Sequence, residues 1–257
     1  HSSKALSYNM KYLLLGFAVL TLSFCLPVDA TPFFNSKLGY NLSYKAYSGY
    51  EKIDWYFPEQ TARMYYSLWQ GVGDDIKDKS VPIIIWLQGG PGAASQFGCF
   101  NEVGPLYIHP DGKLQENGYS WSNRGHLVCV DQPVGVGFSY NRGKPVTDTY
   151  EASLHFTNFL HNFLSEWNFL ENPLYISGES YAGHYIPSFA RFLMANVSLG
   201  INLRGVMIGD GYLDPVNQMN FYDSMTYTAG ISSLSAREQT TSVQNQALLN
   251  LFSGRYQ

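Results

Sequence analysis

Leu174-Tyr175-Ile176-Ser177-Gly178-Glu179-Ser180-Tyr181-Ala182-Gly183-His184-Tyr185-Ile186-Pro187 is the stretch whose reading decides the fold. The apolar run Leu174–Ile176 predicts a short buried strand. Small residues follow at Ser177, Gly178, Ala182 and Gly183, and then an amphipathic run, Tyr185–Met194, with helical spacing. Strand, sharp turn and helix put Ser180 in a bend that only small neighbours permit, with its hydroxyl turned away from the sheet. A helix start beneath it offers unpaired N–H groups and a partial positive charge. This is the context of a nucleophile elbow, Gly-x-Ser-x-Gly, with Ala182 in the place of the second glycine and Gly183 next to it. An N-capping serine on an ordinary helix would fit the same letters, so the reading depends on what surrounds it.

The nearest support lies upstream. Pro82–Leu87 is a continuous apolar run rich in isoleucine, as expected of a central strand buried on both faces. It ends in Gln88-Gly89-Gly90-Pro91-Gly92, a rigid glycine-rich loop whose backbone can approach a ligand closely and whose N–H groups can serve an oxyanion. A plain turn would also account for it. His126–Val130 predicts a further strand, closing on Asp131-Gln132-Pro133, with a glycine-rich loop over Val134–Tyr140. Tyr47–Ile53 and Arg63–Trp69 alternate as an antiparallel pair. Glu151–Trp167 carries apolar residues on one helical face, which leaves His155 and His161 as surface or boundary residues. Val206–Ile208 is the next strand, and Asp210 after it reads as a loop-capping aspartate. Gln218–Gln257 is polar with weak helical runs such as Ala247–Phe252. The alternation of strands and helices predicts an α/β fold, a mostly parallel central sheet with flanking helices. Such sheets bind ligands at the carboxyl ends of their strands, where both glycine-rich loops fall.

The 257 residues suffice for one domain with a sizeable core. A net charge of −4 gives no basic footprint, which argues against nucleic acid as a partner. Lys11 followed by the apolar run Tyr12–Leu26 and by Val28-Asp29-Ala30 reads as a signal peptide over residues 10–30, cut after Ala30. The run is short for a membrane anchor, so no stable insertion is expected once it is removed. Residues 1–9 read as leader sequence, and residues 31–257 as the folded domain. Export predicts glycans on the sequons at Asn41 and Asn196. Two cysteines remain after cleavage, Cys99 and Cys129, free to pair or to stay as thiols. No CxxC and no His/Cys cluster suggests a metal, and no cofactor is implied.

Together these stretches resemble the serine carboxypeptidases, α/β-hydrolases that remove single residues from peptide C-termini. The resemblance runs from about Tyr47 to about Ile231. It rests on Trp86-Leu87-Gln88-Gly89-Gly90-Pro91-Gly92, Glu102-Val103-Gly104-Pro105, the run from Asp131 to Tyr140, Gly178-Glu179-Ser180-Tyr181-Ala182-Gly183 and Gly209-Asp210-Gly211-Tyr212-Leu213-Asp214-Pro215. Glutamine after Trp-Leu is similar to the animal vitellogenic-like branch. The resemblance implies that Ser180 is the nucleophile and that the N–H groups of Gly90 and Tyr181 form the oxyanion hole. It implies that Trp86, Gln88, Gly89, Glu102 and Glu179 hold the substrate's terminal carboxylate. A carboxylic acid can donate to a carboxylate only while protonated, and two neighbouring glutamates can retain a proton. Acidic pH, a lysosome-like compartment and peptide or protein C-termini as substrates follow as expectations.

A serine nucleophile needs a base, and the base an orienting acid. In this fold they follow in the order Ser, Asp, His. After Ser180 the single histidine is His184, inside the elbow motif, where packing is the expected role. His109 and His126 come too early, and nothing resembles the family's distal Asp and His segments. The expectation is therefore a domain C-terminally truncated within the family's helical insertion, with negligible peptidase activity, poor stability and an exposed sheet edge. A natural non-catalytic peptide-binding short form, or an acyltransferase of the same family, are the alternatives.

Overall fold

The computed structural model describes residues 31–32, 45–54, 61–71 and 73–255. The expected leader and signal peptide and the Asn41 sequon lie outside the described residues. In chain order the strands and helices are β1 (Thr31–Pro32), β2 (Ala46–Ile53), β3 (Ala62–Trp69), β4 (Ile83–Leu87), α1 (Ser95–Asn101), β5 (Leu106–Ile108), β6 (Leu114–Glu116) and β7 (His126–Val130). Then come β8 (Tyr140–Asn141), α2 (Thr149–Glu166), β9 (Leu174–Glu179), α3 (Ala182–Ala195), β10 (Leu203–Gly209), α4 (Pro215–Gln218), α5 (Tyr222–Thr228) and α6 (Leu234–Phe252).

One sheet runs in the order β1-β2-β3-β7-β4-β9-β10, with β8 paired to β3. Strands β7, β4, β9 and β10 are parallel to one another, with β10 at the edge, and β1, β2 and β3 continue the sheet antiparallel on the other side. Every residue of β4 is buried, which explains the unbroken apolar run. Alternation divides that run between two cores. Ile83, Ile85 and Leu87 join Phe156, Phe159 and Phe163 of α2 and Ile186 and Phe189 of α3 on one face. Ile84 and Trp86 join Cys99, Leu127 and Cys129 on the other. Phe156 stacks on Phe189 at 4.3 Å between ring centroids, which locks α2 to α3. Each such fully buried aromatic contributes about 1.5–3 kcal/mol from its area alone.

Cys99 and Cys129 are disulfide-bonded, with Cα atoms 6.3 Å apart, so the open question about these two thiols closes in favour of pairing. The bond ties α1 to β7 beneath the loop that follows β4. Because it spans 30 residues of sequence, Cys99→Ser is expected to lower unfolding stability by about 3.5 kcal/mol on the chain-entropy estimate. Urea unfolding of both forms under oxidising conditions checks this, and an unchanged midpoint would contradict it.

One expectation is overturned. His155 is fully buried rather than a boundary residue, and burial pushes its imidazole down to about 4. The reason is that α2 is covered over more than one face. The sheet lies on one side, α3 on another, and Ser153 Oγ meets Ser188 Oγ at 2.8 Å across the helix pair. Helix α2 starts at its N-cap Asp148, whose carboxylate accepts from Glu151 N at 2.8 Å. The polar segment after residue 214 folds as α4, α5 and α6, with Phe221, Met225, Ile231 and Phe252 exposed. Strand β10 is the last strand of the sheet among the described residues, and Val206 and Met207 on it are 43% and 41% exposed.

Candidate active site

Strands β4 and β9 are parallel neighbours, with Leu87 in register with Gly178. The loops that follow them therefore emerge side by side. The contact is close: a Cβ on Gly89 would lie 2.5 Å from Tyr181 N, 2.8 Å from Glu179 O and 2.8 Å from Ser180 Cβ.

Ser180 sits between β9 and α3 with φ 58°, in the left-handed region that side chains rarely adopt. It is exposed. Its N–H donates to Gly209 O at 3.0 Å, and its carbonyl accepts from Tyr212 N at 2.8 Å, so the end of β10 braces the bend from both sides. A strained backbone held by its surroundings is what an elbow requires, and an N-capping serine is excluded because Tyr181, not Ser180, occupies the cap of α3. The small residues now have separate reasons. A Cβ on Gly178 would run into Leu87 O and lie 2.8 Å from Ala182 Cβ. Ala182 itself is inside the helix and buried, so its methyl is tolerated. Gly183 is the position that cannot carry a side chain: its Cβ would lie 2.7 Å from Tyr212 N.

Beside the elbow lies a polar cluster. Gln88 is buried, and its Nε2 donates to Glu179 Oε1 at 2.7 Å while its Oε1 accepts from Trp86 Nε1 at 3.1 Å. The one amide of Gln88 thus bridges the Trp86 ring and Glu179. Ser95 Oγ accepts from Gln88 N at 3.0 Å and fixes the start of the loop. Glu102, just past the end of α1, completes the cluster. Burial, and then the charge of Glu179, push its carboxyl above the ordinary range, against a smaller opposing pull from Gln88. Its Oε2 is buried without a hydrogen-bond partner among the described residues.

Three supporting residues received no role from the sequence, although Asp131 stands in one of its motifs. Gly98 of α1 leaves room for the cluster, since a Cβ there would strike Trp86 Nε1 and lie 2.6 Å from Gln88 Oε1. Its signal was a glycine in an otherwise helical run. Ser95 carried no signal. Asp131 is fully buried and accepts from Gln96 N at 3.2 Å and Phe138 N at 3.0 Å, which joins the start of α1 to the 133–139 loop. A cavity of about 510 Å³ opens alongside, lined in part by Pro91, Gly92, Val136, Tyr181 and Tyr185.

Among the described residues, no histidine hydrogen-bonds the Ser180 side chain. His184 packs between the rings of Tyr181 and Tyr212, at 4.8 and 5.2 Å between centroids. His126 is the first residue of β7, at the opposite end of the sheet, and its Nδ1 accepts from Gly71 N at 2.9 Å. His109 is exposed and pairs with Asp111 at 3.1 Å. Among the described residues, no side chain hydrogen-bonds the Ser180 hydroxyl.

The sheet, the braced serine and the adjoining glycine loop define an α/β-hydrolase. Comparison with known proteins carries this further. The family model for serine carboxypeptidases matches residues 37–254. The chain is 36% identical over 212 residues to vitellogenic carboxypeptidase from Aedes aegypti, covering 77% of this chain and 41% of that protein. It is 37% identical over 196 residues to carboxypeptidase Y from Saccharomyces cerevisiae, covering 75% of this chain and 36% of that one. Among solved structures, Kex1(delta)p, a prohormone-processing carboxypeptidase from Saccharomyces cerevisiae, superposes with a TM-score of 0.68 at 28% identity, over 79% of this chain and 48% of its own. The chain belongs to the serine carboxypeptidase family, and it spans less than half the length of these relatives.

Proposed function

We propose that the protein carrying this chain is a serine-type carboxypeptidase that releases C-terminal residues from peptides through an acyl-enzyme. Ser180 is the nucleophile. The N–H groups of Gly90 and Tyr181, on the two touching loops, take the oxyanion. Trp86, Gln88, Gly89, Glu102 and Glu179 hold the substrate's terminal carboxylate. The observation that carries the reading is the buried, unpartnered Oε2 of Glu102. A buried polar atom without a partner is costly, and a carboxyl there, protonated, is a donor in want of an acceptor. A peptide's terminal carboxylate supplies that acceptor. The scissile carbonyl of the same peptide is proposed to meet Ser180, the residue next to Glu179 in the chain. The base and orienting acid for Ser180 are proposed to come from outside these 257 residues, in keeping with the longer relatives. The setting proposed is the secretory pathway, ending outside the cell or in a lysosome-like compartment. Among the described residues no helix is long and apolar enough to cross a membrane. Asn196, at the end of α3, donates one Nδ2 hydrogen to Phe192 O at 2.8 Å and keeps the other for a glycan.

The pH dependence has a definite sign. The raised pKa of Glu102 keeps its acid form present at higher pH than an ordinary glutamic acid. A peptide's terminal carboxyl ionises at about 3.5. Donor and acceptor therefore coexist from about pH 3.5 up to the Glu102 pKa, and binding weakens above it as two carboxylates face each other. Calorimetric titration of this chain with a peptide ending in a free carboxylate is expected to show affinity falling about 10–100-fold across that transition, the worth of one hydrogen bond to a charged group. The C-terminally amidated peptide is expected to bind weakly at every pH, and Glu102→Gln to remove the pH dependence. Equal affinity for acid and amide would sink the reading. Binding as expected, but with no turnover by the whole protein, would favour the non-catalytic peptide binder.

A further inference from the structure

A second carboxyl pair lies away from the site, at the seam between the outer strands and α2. Glu51 is on β2, and its side chain is only 5% exposed. It points to the face of the sheet that α2 covers, and there its carboxyl hydrogen-bonds that of Glu166, the last residue of α2. A hydrogen bond between two carboxyl groups needs a proton on one of them. The last turn of α2 has no basic residue, so the negative end of the helix opposes a second anion at that spot. Neutral bonds dock the same seam. Asn162 Nδ2 donates to Lys52 O at 3.0 Å, and Asp54 N donates to Asn158 Oδ1 at 2.9 Å. Trp167 Nε1 donates to the hydroxyl of Tyr66 at 3.0 Å. Nothing in the proposed chemistry uses this pair.

We infer that Glu51 and Glu166 share one proton and form an acid-dependent latch between the β2–β3 hairpin and α2. While the proton is held, the pair is a hydrogen bond between buried Glu51 and Glu166 at the exposed end of α2. Once it leaves, Glu51 is an anion buried at the seam and facing a second anion, and the hold of the hairpin on the helix weakens.

The surrounding charges agree in sign. Burial acts most strongly on Glu51, the charge of Glu166 next, and its hydrogen bond after that, all raising the carboxyl to about 8. Arg63 of β3 pulls the other way and is the smallest influence. Tyr66 of β3 is itself pushed up, chiefly by burial, and stays neutral throughout. Lys52 and Asp54 pair with each other at 2.7 Å at the edge of the strand.

The sign for stability follows. An unfolded glutamic acid releases its proton near its ordinary value of 4.5, whereas folded Glu51 holds it up to about 8. Between those values the folded state carries the extra proton, so stability falls as pH rises, and it falls no further above about 8. Below 4.5 both states are protonated and the contribution is constant. One proton of difference corresponds to a tenfold change in the unfolding constant per pH unit.

Urea unfolding of the chain at pH steps between 5 and 7.5 tests this. The unfolding constant of the wild type is expected to rise with pH about tenfold per unit more steeply than that of Glu51→Gln, which keeps a donor toward Glu166 but cannot ionise. Glu102→Gln is expected to leave that difference in place. Equal slopes for wild type and Glu51→Gln overturn the latch. If Glu51→Gln does not fold, carbon NMR of glutamate carboxyls in the Glu102→Gln background decides instead. One carboxyl titrating near 8 supports the latch, and all titrating below about 6 overturns it.

Discussion

Replacing Ser180 with alanine in the whole protein is expected to lower kcat by about 10⁶-fold, the scale seen when a serine nucleophile is removed from a triad enzyme. That is about 8 kcal/mol of transition-state stabilisation. The fold is expected to survive. The Ser180 hydroxyl is exposed and bonds to no side chain among the described residues, so its loss leaves no buried group unpaired. Alanine meets the same backbone strain at φ 58° as serine does. The braces from Gly209 and Tyr212 act on the backbone of residue 180, not its side chain. Binding of a free-acid peptide is expected to persist in the variant, since Gln88, Glu102 and Glu179 are untouched. Release of a C-terminal residue, measured beside calorimetric binding and a urea midpoint, separates the three. A variant that turns over within tenfold of the wild type would remove Ser180 from the chemistry. The loss of binding and folding together would instead make it structural.

How much of this was readable beforehand depends on the range of the signal. The elbow was legible because its requirements are local: a strand, small residues and a helix within fourteen positions, all of which the structure places as expected from Leu174 to Pro187. The central strand was legible because an Ile-rich run buried on both faces has one simple use. That the two glycine loops touch was legible only through the fold rule for parallel sheets, since residues 89 and 181 are far apart in sequence. His155 was misread because periodicity reports the most apolar face of a helix and is silent on how many faces are covered. The helices after residue 214 gave weak patterns because their apolar residues do not gather on a single side, and many stay exposed. The Glu51–Glu166 pair was illegible in principle. A glutamate in an alternating strand reads as a solvent-facing residue, and nothing local says that its partner arrives from the end of α2.

The touching loops carry the second large expectation, at Gly89. Its backbone is not in the left-handed region, so glycine is required there for space and not for conformation. An alanine Cβ would lie 2.5 Å from Tyr181 N and 2.8 Å from both Glu179 O and Ser180 Cβ. The atoms it meets are mostly backbone and cannot rotate away. They are fixed by the bonds at Ser180 and by the pairing of Leu87 with Gly178. The 88–92 loop must therefore move by several tenths of an ångström or more, and Gly90 moves with it. Gly89→Ala is expected to cost about 1–3 kcal/mol of stability, as for other overpacked positions. A larger loss is expected in kcat, about 10²–10³-fold, because a displaced oxyanion donor is worth that much. Gly118→Ala is the matched control: its Cβ would meet nothing within 4 Å, and its φ is ordinary. If Gly89→Ala unfolds at the same urea concentration as Gly118→Ala and the whole enzyme keeps its kcat, the two loops do not meet as described. The notch proposed between Gly90 and Tyr181 would then fail, and with it the proposed site for the developing oxyanion.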